Sequence, residues 1–237
     1  SSSSKRKGVP VIDFSPFYMT LLSKFALANP IIPTVDISKY FETLKVLFKD
    51  RGYPIPEGFE EAINPNVFPS LVLPALGSTY NRRLVLFVHL EEKLGVDVPR
   101  DIISTMKQTE DQTPDVDVLL LSIATPSTQA RKAIAAISLG ETSIIRHIHC
   151  IRLCEISRPI TQYMLVPKHQ LIKSLPKHVL IRKGQMSTEM PIMDVGKIIA
   201  KWYGFNVGDL VYIPRQFGGY LQPEKYWRYV DYTFDSS

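Results

Sequence analysis

Three apolar runs of strand length, residues 82–89 (RRLVLFVH), 115–124 (DVDVLLLSIA) and 144–153, alternate with two segments of helical spacing. That order constrains the fold more than any other feature of the chain. The middle run begins with alternation and ends almost wholly apolar, the pattern of a central strand covered on both faces. Residues 98–108 read as the first intervening helix. After Thr125-Pro126, residues 127–137 read as the second, with Ala130, Ile134 and Ile137 on one side. Strand, helix, strand, helix, strand predicts a small α/β domain with right-handed crossovers.

The flanking segments extend this plan. Residues 1–34 read as a partly flexible N-terminal extension, opening with SSSSKRKG, which has nothing to bury. Asp36 or Ser38 can then cap a helix whose apolar positions Tyr40, Phe41, Leu44, Leu47 and Phe48 recur every three or four residues, and Gly52 and Pro54 stop it. Residues 55–80 are rich in proline and glycine and read as loops around a short strand at 70–73. The texture changes after Pro159. Two Pro-Lys-His triplets, at 167–169 and 176–178, lie in a stretch of short apolar groups. Asp194 precedes a helix through Ile198, Ile199 and Trp202 that Gly204 can close, Gly208-Asp209 turns into a strand at 210–213, and a last strand is expected at 227–232. The expected organisation is an extension (1–34), an α/β domain with a central sheet and flanking helices (35–159), and a small α+β domain (160–237).

Hydrophobic residues make up 45% of the 237 and charged residues 22%, an ordinary globular balance that excludes wholesale disorder. The net charge of +5 is a mild basic bias, compatible with nucleic acid or an acidic partner. No stretch has the roughly 18 apolar residues of a membrane span, so a soluble protein with no membrane partner is expected. Two cysteines and no visible secretory signal make a reducing compartment the expectation.

The densest set of candidate ligands is His147, His149, Cys150 and Cys154, since imidazole and thiolate bind zinc. On a strand, however, both histidines face one way and the cysteines the other, so the four cannot converge. A Cys-His nucleophilic pair meets the same obstacle and has no orienting group. Asp115 and Asp117 could share a strand face, as a metal-dependent nuclease requires, but no third acid follows in strand spacing, and both read as a solvated strand end. No phosphate loop, HExxH or GxSxG occurs. Residues 168–183 carry five Lys and Arg with no acid, which suits either a solvated face or contact with phosphates.

At Ile160-Thr161-Gln162-Tyr163-Met164-Leu165-Val166-Pro167-Lys168-His169 the chain resembles the segment that opens the C-terminal domain in the fifth shared subunit of eukaryotic DNA-directed RNA polymerases. The Leu-Val-Pro-x-His core fits, while Tyr163 and Met164 replace the histidine and the acid before it. Ile199-Ala200-Lys201-Trp202-Tyr203-Gly204 is similar to the end of that family's conserved helix, with Lys197-Ile198 in place of an aspartate-proline pair and Lys201 in place of arginine. Gly208, Val211 and Arg215 fall at its Gly-x-x-Val and Arg-Pro positions, Gln216 replacing the proline, and Tyr226 and Arg228 approximate its final strand. Upstream, Arg51-Gly52-Tyr53 resembles its helix end, and Thr125-Pro126 the turn after its buried strand.

The resemblance implies an N-terminal jaw domain near downstream duplex DNA and a C-terminal assembly domain docked on the largest polymerase subunit. The implied assembly residues are Leu165, Val166, Pro167, His169, Ile199, Lys201, Trp202, Tyr203, Gly204, Gly208, Val211 and Arg215. Arg82, Arg83, Arg131 and Lys132 are the candidate DNA-proximal positions. No catalytic, cofactor or metal residue is implied in this chain, because magnesium-dependent nucleotidyl transfer belongs to the two largest subunits. Partners would be the other polymerase subunits, not a second copy. The departures suit a divergent member, nuclear if cellular, or in host cytoplasm or virion if it belongs to a cytoplasmic large DNA virus. The alternatives are a stand-alone nucleic-acid-binding protein and a metal-dependent nuclease.

Overall fold

Asp36 starts the first element. Its Oδ1 accepts from the Ser38 N–H at 3.0 Å and the Ser38 hydroxyl at 2.6 Å, setting a 3-10 turn, Ile37–Tyr40, that runs into helix α1, Phe41–Asp50. Of the two candidate caps, Asp36 is the one used. The computed structural model describes residues 35–63, 65, 69–75, 78–107, 116–139, 145–163, 166–172, 190–214 and 227–233. The N-terminal extension, Asp115, Met164, Leu165, the second Pro-Lys-His triplet, Arg215, Gln216 and Tyr226 lie outside them.

The three- and four-residue spacing of α1 turns Leu44, Leu47 and Phe48 inward. Gly52, at φ +82°, takes the left-handed conformation that ends the helix and redirects the chain into buried Tyr53. A short helix, α2 (Phe59–Ala62), sets Phe59 edge-on against Phe41 and Phe48 at 6.0 and 5.7 Å between ring centroids.

The first sheet has the order β1 (Leu71–Leu73), β2 (Arg83–His89), β3 (Val116–Ser122), β4 (Ile145–Arg152). The last three strands are parallel, as the strand-helix alternation predicts, and β3 is buried at every residue. β1 adds an antiparallel edge on β2. Helices α3 (Asp97–Lys107) and α4 (Thr128–Leu139) make the crossovers and cover one face. There Ile102, Met106, Ala130 and Ile134 meet Val85, Phe87, Val118, Leu120, Ile148 and Cys150. The other face, with Leu84, Leu86, Leu119, Leu121 and Ile151, packs on α1.

The second sheet has the order β5 (Gln170–Ile172), β7 (Leu210–Tyr212), β8 (Trp227–Asp231), β6 (Ile192–Asp194), with only β6 and β8 parallel. Helix α5 (Ile198–Tyr203) ends at Gly204, φ +72°, as the sequence predicts. Its Ala200 joins Met193, Val195, Phe205, Val211 and Val230 in a small core. Trp202, 0% exposed, belongs instead to the core of the first sheet, where Ile156, Ile160 and Ile198 also pack. The change in texture at Pro159 therefore does not separate the hydrophobic cores. The result is a mixed α/β architecture of two small sheets with flanking helices. Among the described residues, no helix is long and apolar enough to cross a membrane.

Candidate functional site

The end of α1 carries two charged residues into the space between the sheets. Arg51 is 3% exposed, and its Nε donates to the Trp202 carbonyl at 2.9 Å while Nη2 donates to the Lys201 carbonyl. These carbonyls close α5, so the guanidinium neutralises the negative end of that helix. Next to it, Asp50 Oδ2 accepts from the Trp202 indole Nε1 at 2.8 Å and from the Thr161 hydroxyl at 2.6 Å. Gly204 is needed at its position on two counts: its φ is positive, and a Cβ there would lie 3.0 Å from Arg51 Cζ.

Beyond Arg51 the polar groups continue. Asp117 on β3 is 2% exposed and sits 3.5 Å from Arg82 Nη1. Burial pushes its carboxyl up to about 6, against the opposing pull of Arg82 and Arg51. The Arg82 guanidinium also lies 4.9 Å from the centre of the Tyr80 ring. The Tyr80 hydroxyl donates to Asp209 Oδ2, which also accepts from the Asn206 backbone N–H at 2.6 Å. Tyr53 donates to the Arg82 carbonyl at 3.0 Å, and burial raises its phenol to about 12.

His147 and His149 point from β4 into the same region, their rings 4.2 Å apart. Burial lowers His147 to about 3; it lowers His149 well below the ordinary imidazole value, helped by the charges of His147 and Arg51. Both rings are neutral at physiological pH. Neither nitrogen of His149 nor the side-chain amide of Asn206 makes a hydrogen bond of ordinary geometry among the described residues, but the two groups are neighbours, and the amide opposes the fall in the His149 pKa.

Strand alternation separates the histidines from Cys150 as expected: Cys150 faces α3 and α4, and Cys154 is exposed in the 3-10 turn Leu153–Ile156. No group of three or more His, Cys, Asp or Glu among the described residues is arranged to hold a metal ion. Asp117 requires a correction. It is not part of a solvated strand end but is enclosed, because Arg82 and Arg51 supply compensating charge from distant parts of the chain.

The four basic candidates do not form one patch. Arg82 is committed to Asp117, and Arg83 starts β2 at the N-terminal end of the parallel strands. Arg131 and Lys132 are exposed on the first turns of α4, which follows the C-terminal end of β3. Seven residues of strand, about 20 Å, separate these two ends. Among the assembly candidates, Trp202, Gly204 and Val211 are buried within the chain, and Gly208, φ +93°, is an exposed turn. Lys201 is half-buried, with Nζ 3.7 Å from Glu155 Oε1. Val166, Pro167, His169, Ile199 and Tyr203 are half-exposed beside Tyr163, which is 48% exposed. The His169 ring lies 5.9 Å from Tyr203, which stacks on Phe205 at 5.3 Å.

Chemical reasoning on the sequence overlooked Arg51, Tyr80, Asn206 and Asp209. Periodicity carries no signal for them, since each is a polar residue at a helix end or turn whose burial comes from a segment far along the chain. Only the resemblance singled out Arg51. No family model matches the chain.

Proposed function

We propose that this chain is a non-catalytic subunit of a multisubunit DNA-directed RNA polymerase, similar to the fifth shared subunit. In this reading the second sheet and α5 dock on the largest subunit, and the first sheet with its helices forms part of the jaw near downstream DNA. One observation carries the reading: the separate segments on which the resemblance rests touch one another. Arg51 of the Arg-Gly-Tyr segment donates to Lys201 and Trp202 of the second segment, across sequence separations of 150 and 151. His169 of the Leu-Val-Pro-x-His segment packs on Tyr203 of the same helix. Chance matches scattered along a chain have no reason to interlock.

The burial pattern refines the assembly surface. Trp202 and Val211 hold the chain's own cores, which leaves Val166, Pro167, His169, Ile199 and Tyr203 to face the partner, with Tyr163 alongside. Aromatic and aliphatic groups partly exposed beside a polar rim suit the centre of a subunit contact. Magnesium and the nucleotidyl-transfer chemistry belong to the large subunits.

The test is purification of the tagged chain from its native source under mild salt. DNA-templated RNA synthesis and two very large subunits should co-elute with it, and a Tyr203→Ala, Ile199→Glu variant that remains folded should lose them. Recovery of the intact chain without polymerase subunits overturns the reading.

A further inference from the structure

We propose that His149 is an acid-operated latch on the junction between the two sheets: the second sheet stays docked only while this imidazole is neutral, and proton uptake opens the junction. The inference does not depend on the polymerase reading. It rests first on geometry. His149 is 1% exposed, it lies on the face of β4 that packs toward α1 and α5, and its buried ring nitrogens make no hydrogen bond of ordinary geometry among the described residues, with the neutral Asn206 side-chain amide beside them. An imidazolium has two N–H donors to satisfy, and it would stand where positive charge is already concentrated.

Among the described residues, the surrounding groups leave it no uncommitted counter-ion. Arg51 from the end of α1 and Lys201 from α5 both act on it, as does His147 from its own strand. Asp117 on β3 is engaged by Arg82, and Asp209, in the turn before β7, by Tyr80 and the Asn206 N–H. Asp50 accepts from Trp202 and Thr161, and Glu155 faces Arg152 and Lys201. The Asn206 side chain can offer an amide, but no charge. Each nearby carboxylate is thus committed, and an imidazolium is accommodated only by opening the junction to water.

The sign follows from linkage. The docked pKa of His149 is depressed, so its share of docking stability is complete above the unfolded value of 6.5 and is lost as pH falls below it. His147 acts in the same direction, down to about 3. Asp117, raised to about 6, and Asp209, also raised, act oppositely by taking up protons in the docked form. The share of His149 is therefore read against a variant that cannot titrate.

The chain has two tryptophans, Trp202 and Trp227, so Trp227→Phe leaves the buried junction indole as the sole fluorophore. Should that variant fail to fold, fluorine-labelled tryptophan in the unaltered chain resolves the two indoles. Urea titrations followed at Trp202 between pH 7.5 and 4.5 compare His149 with His149→Phe and His149→Gln. The docking constant of the His149 chain relative to either variant should fall about tenfold per pH unit below about 6.5, reaching about a hundredfold by pH 4.5. Far-UV circular dichroism of the first sheet and its helices should persist through the Trp202 transition. A ratio that stays constant within about threefold overturns the latch, and so does simultaneous loss of both signals, which makes the event global unfolding.

Discussion

Arg51 and Gly204 form a steric and electrostatic pair whose energies should fail to add in a calculable way. Replacing Arg51 with alanine removes two guanidinium hydrogen bonds to the end of α5, each worth about 1.5–3 kcal/mol, so a loss of about 3–5 kcal/mol is expected. Gly204→Ala costs about 1–2 kcal/mol for its left-handed backbone. Its Cβ also falls 3.0–3.2 Å from Cζ, Nη1 and Nε of Arg51. That planar group is fixed by both carbonyls and cannot yield without losing a bond, which adds about 2 kcal/mol. In the double variant the guanidinium is gone and the new methyl has room, so Gly204→Ala adds only its backbone cost of about 1–2 kcal/mol to the loss from Arg51→Ala. The double variant should therefore be about 2 kcal/mol more stable than the sum of the single losses requires. Urea unfolding at neutral pH, with linear extrapolation for all four proteins, measures this coupling. Additivity within about 0.5 kcal/mol would refute the contact and with it the role given to Gly204.

Three further outcomes follow from the same geometry. Asp117 has a folded pKa of about 6 against an ordinary 3.8, so its favourable share is complete below about 4 and lost as pH rises through 6; urea midpoints should show the wild type weakening about tenfold per pH unit relative to Asp117→Asn over that window, then running parallel above pH 7. Asp50→Leu strands the Trp202 indole N–H and the Thr161 hydroxyl, and should cost about 3 kcal/mol in thermal or urea unfolding, whereas Asp50→Asn, which keeps an acceptor, should cost roughly half as much. Arg131→Ala with Lys132→Ala should reduce the salt slope of non-specific DNA attraction by about 1–2 without a change in stability, while Arg82→Ala should lower stability through loss of the Asp117 contact, as fluorescence binding across a salt series and urea unfolding would show.

What could be read from the residues, and what could not, divides along local and distant causes. Strands β2, β3 and β4 were legible because parallel strands covered on both faces must be apolar throughout, and β3 is buried at all seven positions. The opposite facing of His149 and Cys150 followed from alternation alone. The antiparallel pairing of β1 on β2 did not, since three residues, Leu-Val-Leu, carry no register information. Asp117 reads as exposed because a lone acid at a strand start is normally hydrated, and the two arginines that enclose it come from other elements. Trp202 is visibly an inward helix position, but which core receives it depends on the docking of two sheets.

The polymerase reading faces its most direct test in the native mass of the assembly that the tagged chain brings down. The account predicts one copy of the chain in each complex, together with one copy of each of two very large subunits, and loss of the chain alone when Tyr203 and Ile199 are substituted. A chain found alone, or as a multiple of itself, under conditions in which the polymerase remains intact, would contradict it.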